Sequence, residues 1–255
     1  MNKFKYISKK EERYDKILTV LESEKYISAQ KLSQMLFVSL PTIRRDLAEL
    51  DRRNQIIRSH GGAKAIEPEH VVAPLDFRKS LHSTQKRKLC QAAANLVSDN
   101  DIIFIDSSTT TLQMADFLSE KKNITVITNG ISLAVLLINR GIKTYCTGGE
   151  IFENSLAHFG SFAEDFIRRF NIDVMFFSCH GVNDNGMLTD PSLPETQIRK
   201  VAINQSKKSV FLCDESKFSL STPYNLMHIE DVDYIITDSD TVNQFIKEKG
   251  KIIIV

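Results

Sequence analysis

The chain has 255 residues, 42% hydrophobic and 25% charged, with 33 Lys and Arg against 32 Asp and Glu, the balance of an ordinary globular protein long enough for one large domain or two unequal ones. No apolar run approaches the ~20 residues that cross a bilayer, and the charged opening MNKFKYISKKEERYDKI has no signal-peptide apolar stretch, so a cytoplasmic protein without membrane contact is expected. Four scattered cysteines (Cys90, Cys146, Cys179, Cys213) without a C-x-x-C pair argue against zinc or a disulfide framework and for a reducing compartment; no metal and no cofactor are expected.

The near-neutral charge hides an asymmetry. Residues 1–66 carry 14 Lys and Arg against 8 Asp and Glu, which leaves 19 against 24 in the remainder. A basic head on an acidic body points to nucleic acid at the head. Three amphipathic helix patterns follow one another there. Ile17, Leu18 and Leu21 share one face of a helix over about 11–24. A second helix begins at Ser28, a good N-cap, with Leu32, Met35 and Leu36 on its apolar side. The third begins at Ser39, also a good N-cap, with Pro41 tolerated in the first turn. Each is too short to be stable alone, so they must pack on one another.

In the third helix, at ~100° per residue, Ile43, Leu47 and Leu50 form the buried stripe, while Arg45, Ala48 and Arg52 face away and Thr42 and Arg44 flank them. The outer surface is therefore small and basic: Pro41, Thr42, Arg45, Ala48 and Arg52. Next, QIIRSHGGAKAI reads as two short strands around Gly61-Gly62, with Arg58, Ser59, His60 and Lys64 on or near the tip. Three helices and a basic hairpin make a winged helix-turn-helix, whose third helix enters a major groove while the hairpin touches the backbone. Ser39, Pro41, Thr42, Arg44, Arg45, Arg52, Arg58, Ser59, His60 and Lys64 are the expected contacts to double-stranded operator DNA, with arginines able to grip guanine or phosphate. The alternative is a packing module with a solvated charged face.

The spacing Arg13-x3-Ile17-x3-Leu21, the run VSLPTIRRDLAEL and the segment RSHGGA resemble the DeoR family of bacterial transcriptional regulators, and V-S-x-x-T-I-R-R-D-L matches that family's pattern without gaps. The resemblance implies a winged helix-turn-helix that reads operator DNA. Phe37 departs from it, because the family often has glycine in that turn.

Residues 67–76, with two prolines, read as a linker. Over 77–255, strand-like runs (DIIFID, NITVITNG, IKTYCTGG, DVMFFSCHG, SVFLCD, VDYIITD, KIIIV) alternate with helical patterns. The alternation predicts an α/β unit of Rossmann-like character, with a mostly parallel sheet covered on both faces and ligands bound at the carboxyl ends of its strands. Those exits read Asp106-Ser107-Ser108-Thr109-Thr110, Thr128-Asn129-Gly130, Gly148-Gly149-Glu150, His180-Gly181 and Asp214-Glu215-Ser216-Lys217. The Ser/Thr run, opening a predicted helix, suits a phosphate; it could equally be an N-cap with spare hydroxyls. Lys217 is a candidate cation, and Glu195 and Asp214 are candidate acceptors of sugar hydroxyls. His180 is either a structural donor or a ligand contact.

IDSSTTT, VITNG, GGE, GMLTDPSLPETQIRK and CDESKF resemble the sensor domain of the same family from about Ser80 to Asp238. The resemblance implies a fold similar to sugar-phosphate isomerases and CoA-transferases, a phosphorylated sugar or related metabolite as effector, and a homo-oligomer. Ser108 replaces a usual glycine, and Cys179-His180-Gly181-Val182-Asn183 stands where the family often has G-G-V-D. The expected function is repression of a carbohydrate-metabolism operon, without catalysis. The alternatives are a sugar-phosphate isomerase with an accessory head, using Glu150, Glu195 or Asp214 as base, and a DNA-binding protein whose body only oligomerises.

Overall fold

In the computed structural model, Lys9–Glu24 forms α1 and buries Tyr14, Ile17, Leu18 and Leu21 along one face. The residues described are 9–24, 26–53, 55–59, 61–65, 75–152, 155–246 and 249–255. After α1 comes a strand that was not expected, β1 (Tyr26–Ser28); three residues carry too little periodicity to be read. Ser28 closes β1 and caps α2 (Ala29–Leu36), its Oγ accepting from the Lys31 N–H at 3.1 Å. Met35, expected on the apolar side of α2, is 45% exposed.

Leu40–Arg52 is α3, with Ile43, Leu47 and Leu50 buried as their angles require. Each such side chain contributes roughly 1.5–3 kcal/mol of burial. Ser39 holds the N-cap position without bonding the backbone; its Oγ lies 2.9 Å from Thr42 Oγ1 instead. Asp46 is buried and takes both ends of the Arg13 guanidinium, at 2.6 Å to Nε and 3.1 Å to Nη2. This pair ties α1 to α3.

β2 (Ile57–Ser59) and β3 (Gly62–Lys64) form the expected hairpin, and β1 adds to its outer side in the order β1-β3-β2. A Cβ on Gly62 would lie 2.2 Å from the Ile27 carbonyl oxygen, so β1 can pair there only with glycine. His60 and residues 66–74, including most of the expected linker, lie outside the described residues. Leu75 and Asp76, the last two positions of that linker, open α4 (Leu75–Ser80). Contacts divide the chain into two compact units, Met1–Ser83 and Thr84–Val255.

In the second unit, α5 (Ser83–Asn95), β4 (Ile102–Ile105), β5 (Thr125–Thr128), α6 (Ile131–Ile138) and β6 (Lys143–Cys146) follow in turn. A hairpin comes next, β7 (Glu150–Phe152) with β8 (Ala157–Phe159), then α7 (Ser161–Ile167) and β9 (Ile172–Phe177). The chain continues through β10 (Gly181–Val182), β11 (Met187–Asp190), α8 (Leu193–Asn204), β12 (Ser206–Cys213), β13 (Tyr224–His228), β14 (Tyr234–Thr237) and β15 (Ile252–Ile254). Seven of these strands build one parallel sheet in the order β15-β14-β12-β9-β4-β5-β6. The hairpin and a small antiparallel sheet, β10-β11-β13, were not expected.

Successive residues of the central strands face opposite sides. Ile103, Ile105, Val210 and Leu212 join a core with α5 and α6, whereas Phe104, Phe211 and Cys213 join one with α7 and α8. No described helix is long and apolar enough to cross a membrane. Strand order reverses between β4 and β9: the chain runs outward through β5 and β6, then returns to the other side of β4. Their adjacent carboxyl ends open the crevice where ligands of such sheets sit.

Candidate functional site

On the head, the outward face of α3 carries exposed Pro41, Arg44 and Arg45, with Thr42 and Ala48 half-buried beside them. Neither Arg44 nor Arg45 has an ion-pair partner among the described residues. Arg52 differs: Glu49 accepts from its Nε at 3.0 Å and its Nη2 at 2.7 Å, so its charge is already matched within α3. On the wing, Arg58 and Lys64 are exposed, and the Arg58 backbone N–H donates to Asp51 Oδ1 at 3.0 Å, which fixes the wing against α3. Ser59 is half-buried.

At the reversal of the sheet, the Ser/Thr loop does not open a long helix. Thr111–Asp116 is a single short 3₁₀ segment, so the expected helix dipole is weak here. The charge comes from two lysines instead. Lys217 Nζ donates to Thr110 Oγ1 at 3.3 Å, to Ser178 Oγ at 2.6 Å and to the Cys179 carbonyl at 2.8 Å, bridging the exits of β4 and β9. Lys86, on α5 and only 4% exposed, approaches Thr109 Oγ1 at 3.4 Å. Sequence reading did not single out Lys86, because one lysine within the charged helical run STQKRKLCQAAANLV carries no local sign of burial.

Asn129, at the exit of β5, is 1% exposed and donates from Nδ2 to Ser107 Oγ and to the His158 carbonyl, each at 3.3 Å. Its Oδ1 and the Thr147 hydroxyl at the exit of β6 are buried and unmatched among the described residues. Buried polar atoms without partners are costly, and a ligand carrying hydroxyls would satisfy both. Gly148, Gly149 and Glu150 lead from β6 into β7 and line an open concavity of about 700 Å³ with Phe162, Asp165, Phe166 and Arg169 of the α7 region. A Cβ on Gly149, whose φ is +114°, would lie 2.5 Å from the Phe159 carbonyl oxygen, so this glycine is required by the turn itself.

Asp106, Glu195 and Asp214 are engaged internally, whereas Glu150 is exposed. Asp106 is buried; its Oδ1 accepts from the Ser108 N–H at 3.1 Å and Thr111 Oγ1 at 2.8 Å, and its Oδ2 from Arg199 Nε at 2.9 Å and the Ser178 N–H at 3.2 Å. With four donors on its two oxygens, Asp106 holds the loop in shape. Asp190 Oδ2 lies 2.6 Å from Arg199 Nη1, and Glu195 Oε2 lies 3.5 Å from Nη2. Asp214 is buried and its Oδ1 accepts from the Ser216 hydroxyl. His180 is exposed, its N–H donating to Asp190 Oδ1 at 3.0 Å, and Gly181 is buried at the start of β10. The cysteines are free thiols; Cys90, Cys179 and Cys213 are buried, while Cys146 is half-buried with its sulfur 3.3 Å from His158 Nδ1.

Three carboxylates around one buried arginine cannot all ionise cheaply. Burial pushes the Asp190 carboxyl up from 3.8 to about 7; the Arg199 guanidinium pulls it down, while Glu195 and Asp106 raise it further. Because the folded value lies above the unfolded one, this contribution to stability is full below the unfolded value and is lost as the pH rises through about 7. Urea unfolding midpoints are expected to fall between about pH 4 and pH 7 and level off above that, with Asp190→Asn flattening that slope. A wild-type midpoint constant over this range would refute the assignment.

A three-helix head with a hairpin wing, joined in sequence to a parallel-sheet unit with lysines and hydroxyls at its reversal point, defines a class: winged helix-turn-helix regulators with a sensing unit. Comparison with known proteins agrees. The DeoR-like helix-turn-helix domain matches residues 13–69 and the DeoR C terminal sensor domain matches residues 81–239. The transcriptional repressor AccR of Agrobacterium fabrum is 30% identical, over 91% of this chain and 90% of its own. GolR, a helix-turn-helix-type transcriptional regulator of Listeria innocua, is 31% identical over 89% and 90%. The glycerol-3-phosphate regulon repressor of Escherichia coli is 29% identical over 91% and 92%. Among solved structures, the sorbitol operon regulator SorC of Klebsiella pneumoniae is similar at 13% identity and TM-score 0.43, over 93% of this chain and 99% of that one. The chain belongs to the DeoR family of transcriptional regulators. These relatives are regulators and not enzymes, so the isomerase alternative is set aside.

Proposed function

We propose that this regulator is a repressor of a carbohydrate-metabolism operon, controlled by a phosphorylated sugar or a related metabolite. Lys217, spanning the exits of β4 and β9 beside the threonine hydroxyls, is the observation that carries the reading. A phosphate monoester there would gain charge-assisted hydrogen bonds from Lys217 and Lys86. The unmatched Asn129 Oδ1 and Thr147 hydroxyl, at the exits of the neighbouring strands β5 and β6, are candidate partners for its hydroxyls. The repressor names of AccR and of the glycerol-3-phosphate regulon repressor support the same reading.

On the DNA side, Ser39, Pro41, Thr42, Arg44 and Arg45 of the α3 end read the groove, and Arg58, Ser59 and Lys64 of the wing hold the backbone. Arg45→Ala should weaken operator binding and reduce discrimination between sequences by ~1–3 kcal/mol. Arg58→Ala should weaken all DNA about equally and lower the salt slope by about one. Binding isotherms at several salt concentrations separate the two effects; if both variants bind like wild type, the α3 assignment is wrong.

One head reads one half-site, so a homo-oligomer is proposed as the working form. Its support is an exposed apolar surface on the second unit, where Phe162 is 83% and Ile151 55% exposed. The effector shifts operator affinity through its different affinities for two arrangements of the oligomer, typically ~1–3 kcal/mol of coupling. Footprinting the promoters of neighbouring sugar operons, with and without sugar phosphates, tests the whole reading. Absence of protection under every condition would defeat it.

A further inference from the structure

Phe37 carries two costs at once. It closes α2 in the left-handed region, with φ 52° and ψ 42°, a conformation disfavoured for any residue with a Cβ. Its ring is also 96% exposed, a large aromatic surface left in water. Neither cost is offset inside the head, because at that exposure the ring touches almost nothing of its own chain.

The turn that presents the ring is held firmly. The Phe37 N–H donates to the Ser33 carbonyl, as does the Val38 N–H at 3.1 Å, and the Ser33 hydroxyl donates back to the Val38 carbonyl at 2.5 Å. Val38 itself packs on the head's core. The ring is therefore fixed outward, two residues before Ser39 and at the end of α3 that carries Pro41, Thr42, Arg44 and Arg45. A DNA duplex offers few apolar surfaces to such a ring: the thymine methyl in the major groove and the faces of the deoxyriboses.

We propose that Phe37 is an apolar DNA contact that adds affinity and specificity beside the polar contacts of α3. The inference rests on the reading of α3 as the groove-entering helix. Glycine in its place would relieve the backbone and lose the contact, so stability and binding should move in opposite directions.

The test uses full-length protein and a duplex that the wild type selects from a random-sequence pool. Phe37→Gly should melt at a higher temperature than wild type yet bind the selected duplex about tenfold more weakly, equivalent to ~1.4 kcal/mol. Phe37→Leu, which keeps an apolar side chain, should fall between the two. A second duplex with uracil for thymine lacks the methyl groups. If it binds wild type more weakly but leaves Phe37→Gly unaffected, the contact is a thymine methyl. If wild type binds both duplexes equally while Phe37→Gly remains weak on both, the contact is a deoxyribose face.

Wild-type affinity in Phe37→Gly would overturn the proposal, and if self-association falls at the same time the ring belongs to a second copy of the chain. A lower melting temperature in Phe37→Gly would remove the strain argument and the proposal with it. Failure of the wild type to select any duplex would instead defeat the assignment of α3, which keeps the two failures distinguishable.

Discussion

Arg199→Met is expected to destabilise the protein by about 3–5 kcal/mol, because it strands the buried carboxylates of Asp106 and Asp190 without their cation. For a unit of this size that corresponds to a fall in unfolding temperature of roughly 6–20 °C. The damage should not stop at stability. Asp106 is held on one side by Arg199 and on the other grips the Ser108 N–H and the Thr111 hydroxyl. When Arg199 goes, the loop that faces Lys86 and Lys217 loses its anchor. Asp190→Asn in the same chain replaces a carboxyl that without its cation can ionise only at a cost, and should restore part of the loss as the pH is raised. Thermal and urea unfolding of the full-length protein decide the matter. A variant melting within about 2 °C of wild type would show that the cluster does not hold this unit together.

Lys217→Met should cut to half or less the stabilisation that phosphate monoesters of three- to six-carbon sugars confer on the wild type. A ligand at a hundred times its Kd stabilises by ~2.7 kcal/mol. Removing one charged hydrogen-bond donor from the site costs binding about 1.5–3 kcal/mol, which at the same concentration cuts that stabilisation to roughly 0.3–1.3 kcal/mol. The fold itself should be little affected: Lys217 is only half-buried, and the Ser178 hydroxyl keeps its own bond to the Leu212 carbonyl at 2.6 Å. Thermal-shift screening of both proteins against the same sugar phosphates reads the effect directly, and footprinting reads its consequence as loss of effector control over DNA. Wild-type shifts retained by Lys217→Met would remove the phosphate from the reversal point of the sheet.

The residues recovered from the sequence are those whose meaning is local. Ile43, Leu47 and Leu50 fall on one face by helical angle alone, Ser28 caps by its own hydroxyl, and the β-branched runs at 102–105, 234–237 and 252–254 are strands whatever their neighbours. Gly61-Gly62 announced a turn. The double arginine of α3 stood out because an amphipathic helix leaves its outer face legible. The match to the DeoR family's motifs extended this to both units.

Other features depend on partners far along the chain, and no window of sequence contains both members. Asp46 reads as one more polar residue of α3 until Arg13, 33 residues away, is folded against it. Asp106 looked like a ligand contact because it opens a hydroxyl-rich loop, yet Arg199, 93 residues away, and Ser178 take one of its oxygens. Lys86 and Lys217 come to one loop only because parallel strands must cross over, which brings the exits of β4 and β9 side by side and lays α5 against them. Sequence alone determined the longer helices of the head and the seven strands of the parallel sheet, since periodicity and capping act within a few residues; the short strands β1, β7, β8, β10, β11 and β13 carry too little local signal. The tertiary structure alone decided which charges are matched and which remain to meet a ligand or DNA, since that depends on burial and on distances that close only when the sheet is assembled.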